Sequence, residues 1–98
     1  MMSTPKKPRT PKATDTFPIW EVHWEDAEEV GDVGWNNVRF LMKEAMKPCP
    51  TMRTVGYLVF EGPNHISLIS TIGPSEAAKL EKIPTGFIKL KKVLWEPS

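Results

Sequence analysis

The sequence predicts a mostly β domain: a small barrel of about five short strands, with one helix between the first and second. Three observations carry this reading. Apolar residues alternate at period two in "WEVHW" (20–24), and β-rich runs recur in "TVGYLVF" (54–60) and "HISLISTI" (65–72). One segment alone, "WNNVRFLMKEAMK" (35–47), changes to a helical period. A flat sheet of this size would leave two edges and one face open, and curling into a barrel with the helix across one end removes both problems.

The chain begins with a tail. Residues 1–16, including "STPKKPRTPKATDT", hold prolines at 5, 8 and 11 and almost no large apolar side chain. Proline fixes φ and removes donors, so this stretch is expected to be disordered and extended, without packing. Residues 17–98 form the single domain, roughly 80 residues and enough for one modest core.

The first strand places Trp20, Val22 and Trp24 on one side and Glu21 and His23 on the other. An acidic loop, "EDAEEVGDVG", follows and closes with two glycines. In the helix, Val38, Leu41, Met42, Ala45 and Met46 fall at i, i+3, i+4, i+7 and i+8, a stripe expected to face the core. Asp32, Asn36 or Asn37 supplies its cap, and "PCP" at 48–50 ends it. Two strands then flank Gly62-Pro63-Asn64, turn chemistry for a hairpin. Val55, Tyr57 and Val59 share one face of the first; Ile66, Leu68, Ser70 and Ile72 share one face of the second. Gly56 inside a strand points to a bulge or a close backbone approach. "PSEAAKLEK" (74–82) reads as a brief helical turn or as a loop into a short strand. In the last strand Ile88 and Leu90 alternate with Lys89 and Lys91.

The segment "IPTGFI" (83–88) resembles the point in SH3-like barrels where a proline-initiated 3₁₀ turn precedes the closing strand. A second resemblance covers roughly residues 19–93. The order "VHWEDA" with "GW", then "TVGYLVFE", "ISLISTI" and "IPTGFIKLKKV" is similar to a group of small proteins of tailed bacteriophages and prophages. Thr85 stands where that group commonly has lysine, and neither the acidic loop nor the basic tail belongs to its pattern. The resemblance implies a phage origin and action in the cytoplasm of an infected bacterium. It implies no activity.

Composition excludes several classes. Hydrophobic residues make up 40% of the chain, with four Trp and four Phe, as in a folded rather than a disordered protein. No apolar run approaches the ~18 residues of a membrane span. The N-terminus shows no secretory pattern, and its prolines would break a transit helix. Cys49 is the only cysteine, so no internal disulfide forms, and with only His23 and His65 beside it no familiar metal set is expected. It reads as a partly buried structural residue, since no histidine lies near it in sequence to act as base. Adjacent Glu28 and Glu29 in a polar loop do not make the separated carboxylate pair that hydrolysis needs. No enzyme and no cofactor is expected.

Charge is segregated beneath a net +1. Lys6, Lys7, Arg9 and Lys12 lie in the tail; Glu21, Glu25, Asp26, Glu28, Glu29 and Asp32 follow with no intervening Lys or Arg. Trp20 and Trp24 belong in the core, whereas Trp35 beside the acidic loop has the character of a protein-binding anchor within a steering field. Glu25, Asp26, Glu28, Glu29, Asp32 and Trp35 are therefore the candidate surface for a host protein that presents basic charge, such as a nucleic-acid-handling enzyme that the chain would modify or inhibit. The alternative is nucleic-acid binding through Lys6, Lys7, Arg9 and Lys12 and the helix row Arg39, Lys43 and Lys47. A third is a small component of the virion or its assembly.

Overall fold

The computed structural model describes Lys12 and residues 15–98. Most of the expected tail, with Lys6, Lys7 and Arg9, lies outside the described residues. Five strands and one α-helix follow in the order β1 (Ile19–Glu25), α1 (Val38–Ala45), β2 (Thr51–Glu61), β3 (His65–Ile72), β4 (Ala77–Pro84) and β5 (Ile88–Trp95). A single 3₁₀ turn, Thr85–Phe87, joins β4 to β5. The strands form one antiparallel sheet in the order β4-β3-β2-β1-β5.

β1, between β2 and β5, owes its place to its alternation. Val22 is fully buried, with Trp20 and Trp24 beside it on the same face. Leu58 of β2, Ile66 and Leu68 of β3 and Ile83 of β4 complete the buried apolar set, and Ile88 of β5 packs against it. Among the described residues no second layer covers this face. The sheet instead curls over its own core, so that Lys91 of β5 reaches Glu61 at the far end of β2, at 3.6 Å. The Thr85 N–H likewise donates to the Asn64 carbonyl at 2.9 Å, tying the 3₁₀ turn to the β2–β3 hairpin. The curl does not close: β4 and β5 each have one neighbour and do not pair with each other.

Several expectations change for identifiable reasons. In β2 the core residue is Leu58, while Val55 and Tyr57 pair with Glu21 and Ile19 on the outer face. A register shift at Val59 lets Phe60 pair with Ser67. "AAKLEK" has helix-forming composition but becomes β4, because β3 offers a full antiparallel edge. Lys79 takes a φ of 55° there, an unusual conformation for a residue with a side chain. In β5 a register shift between the partners of His23 and Trp24 puts Ile88 opposite Trp24 but Leu90 opposite His23. Leu90 therefore leaves the core face that simple alternation assigns to it.

Gly56 carries the close approach expected of it. It pairs with Trp20, and a Cβ there would lie 3.0 Å from the Ile69 carbonyl oxygen and 3.2 Å from Leu68 Cβ. The absent side chain is what lets β2 and β3 meet beneath the indole.

The largest departure is the helix. It does not plug the curled sheet, and none of its residues is buried. Val38, Met42 and Met46 are 71%, 64% and 82% exposed. The buried core cluster is made wholly of strand residues, and the stripe adds nothing to it. Residues 26–50 instead form an excursion from the sheet, pinned where the Asp26 N–H donates to the Pro50 carbonyl at 3.1 Å.

Candidate protein-binding surface

The excursion is built from local polar contacts. Asn36 folds its amide back onto the preceding turn: its Oδ1 accepts from the Asp32 N–H at 3.0 Å, and its Nδ2 donates to the Asp32 carbonyl at 2.9 Å. Gly31 and Gly34, at φ 118° and 98°, supply the conformations that the clasp requires. Asn37 is the helix cap, its Oδ1 accepting from the Phe40 N–H at 3.1 Å. The three cap candidates thus divide into one clasp and one cap.

Trp35 stands between clasp and cap with its side chain fully in solvent, at 103% relative exposure. Val33 is equally exposed. The acidic candidates fall into two groups. Glu25 closes β1 and faces Lys89 of β5 at 3.7 Å, and Asp26 sits at the pinned base. Glu28, Glu29 and Asp32 lie farther out and are exposed. Glu28 and Val30 share one hollow with Leu41, Glu44 and Ala45, which places the acidic segment along that side of α1.

Among the basic candidates, Arg39 and Lys43 are exposed along the helix, and Lys47 pairs with Glu44 at 2.8 Å. Lys12 meets Asp15 through backbone: its N–H donates to the Asp15 carboxylate at 2.9 Å. Lys47 also lines the hollow that holds Glu28, so of the basic row only Arg39 and Lys43 lie outside it.

Elsewhere, Cys49 is exposed rather than partly buried, at the rim of the hollow it shares with Glu28 and Leu41. Glu21 and His23 form a pair on the outer face of β1, 2.7 Å apart. The hydrogen bond from His23 holds the Glu21 carboxyl below its ordinary value, with smaller help from the charges of His23, Lys92 and Arg53. Among the described residues no cluster of three or more His, Cys, Asp or Glu side chains is placed to hold a metal ion. No described helix is long and apolar enough to cross a membrane.

Sequence reasoning missed the apolar part of this surface. Val38, Met42 and Met46 have the spacing of a core stripe, and nothing in one chain's periodicity distinguishes a stripe that faces its own core from one that does not. Comparison of the chain with protein-family models, curated proteins and solved structures finds no match.

Proposed function

We propose that this is a non-enzymatic accessory protein that acts by binding another protein through the 26–50 excursion. The observation that carries the reading is Trp35, a large aromatic side chain held fully in solvent by a built turn. An exposed indole beside Val33 and a run of carboxylates combines an anchor with a long-range field. A basic target suits that field, and host enzymes that handle nucleic acid present such surfaces. The resemblance to phage proteins sets the scene as the cytoplasm of an infected bacterium and the outcome as modification or inhibition of the target. The strand order and the 3₁₀ turn before β5 favour an SH3-like arrangement for the scaffold, a fold that presents its functional loops between strands.

The nucleic-acid reading draws support from Arg39 and Lys43, both exposed on one side of α1. Carboxylates on the helix's other side would repel phosphate, so it ranks second. Affinity capture from infected bacterial lysate, with and without nuclease, tests the choice. A host protein retained after nuclease by the wild-type chain but lost with Trp35→Ala supports the first reading. Retention that disappears with nuclease supports the second.

A further inference from the structure

Helix α1 spans only eight residues and buries none of them. Isolated helices below ~12–15 residues are marginal in water, and most helical stability in proteins comes from packing an apolar face. Among the described residues nothing covers its face of Val38, Met42 and Met46. We propose that this face is covered by the same helix of a second copy of the chain, packed parallel about a twofold axis.

The flanks of the stripe choose the occupant and its orientation. Arg39 and Lys43 each follow a stripe residue by one position, so these two basic side chains lie ~100° round the axis on one side, whereas Lys47 pairs with Glu44 and lines the hollow beside Glu28. On the other side Leu41 and Ala45 face the acidic segment through the hollow they share with Glu28. The surface thus reads basic, apolar, acidic across its width. In a parallel pair about a twofold axis, each helix sets its basic flank against the acidic flank of the other, so both rims are satisfied at once. An antiparallel pair would oppose basic to basic. An interface centred on three side chains per copy falls below the ~1,200 Å² of standard complexes and belongs with the weak, transient ones. Parallel packing would bring two Trp35 side chains to the same end, giving any protein partner a bivalent surface. The dimer shares Glu28 and Glu29 with the proposed partner surface but is tested on the purified chain alone, so its failure leaves the partner reading standing.

Sedimentation equilibrium of the full chain, followed to about 1 mM, tests it. The expected result is a species of twice the 11.1 kDa chain mass at the upper concentrations. Met42→Glu should weaken the association at least tenfold while leaving the thermal unfolding of the dilute protein unchanged. Two charge-reversed variants, Arg39→Glu with Lys43→Glu and Glu28→Lys with Glu29→Lys, should each stay monomeric alone and form a mixed dimer when combined. Three results would overturn the proposal: a wild-type monomer throughout, a dimer indifferent to Met42→Glu, or charge-reversed variants that dimerise alone as well as wild type does. Should Met42→Glu alter the fold, the mixing experiment still decides the outcome.

Discussion

The indole N–H of Trp24 donates to the Thr54 hydroxyl at 3.0 Å, and that hydroxyl in turn donates to the Glu81 carboxylate at 3.2 Å. The relay crosses β1, β2 and β4, and so links the middle of the sheet to one edge. Trp20, on the same face of the same strand, has its Nε1 buried with no hydrogen-bond partner. Lys91 lies over that ring instead, 5.5 Å from its centroid.

This contrast predicts unequal responses to the same change. Trp24→Phe removes a donor that is used, and Thr54→Val leaves both the indole and Glu81 without their partner. Each should destabilise the fold by about 1–3 kcal/mol. Trp20→Phe removes a buried donor that has no partner, so the gain from losing it should offset much of the lost packing. Urea unfolding of the three variants checks the order; a Trp20→Phe loss larger than that of Trp24→Phe contradicts it.

Gly56→Ala should also destabilise, by roughly 1–3 kcal/mol, although alanine ordinarily improves on glycine within a strand. The added methyl group meets the Ile69 carbonyl and Leu68 Cβ, both fixed parts of β3. Thermal unfolding should report a fall of several degrees, about 4–8 °C per kcal/mol in a domain this small. A midpoint at or above that of wild type would show that β2 and β3 separate freely.

The Glu21–His23 pair gives a pH signature. The Glu21 carboxyl is lowered in the folded protein, chiefly by its hydrogen bond to His23. Its contribution is therefore fully present above the unfolded value of about 4.5 and is lost as pH falls through the folded value. Glu21→Gln should be less stable than wild type above the unfolded value of about 4.5, and the difference should shrink as pH falls below it. Denaturant titrations at a series of pH values measure it. A difference that widens with acid has the wrong sign for this mechanism.

At the candidate surface, stability and binding should separate. Trp35→Ala and the triple reversal of Glu28, Glu29 and Asp32 to Lys alter exposed side chains, so each should leave unfolding within about 0.5 kcal/mol of wild type. With a captured partner immobilised, the reversal should slow association at least tenfold at low salt. The tryptophan change should instead speed dissociation. Glu25 is better left intact, because it faces Lys89 across β1 and β5. A partner that binds both variants with wild-type kinetics places the contact outside the acidic segment.

What the sequence determined by itself was local. Alternation in "WEVHW" specified β1 and its buried face; Asn and Gly placed the turns; the 3.6 period and the following prolines bounded α1. Those signals depend on neighbours within a few positions, and each is legible in one chain. The tertiary structure decided everything that depends on which surface meets which. A register shift moved Leu90 off the core face, and pairing decided that Leu58 is the buried apolar residue of β2. Pairing with β3 overrode the helix propensity of "AAKLEK". The buried core cluster took strand residues alone, with Val38, Met42 and Met46 left in solvent. Hydrophobic burial is non-directional, so an apolar stripe states only that it is to be covered. The topology determines whether its cover lies within the same chain.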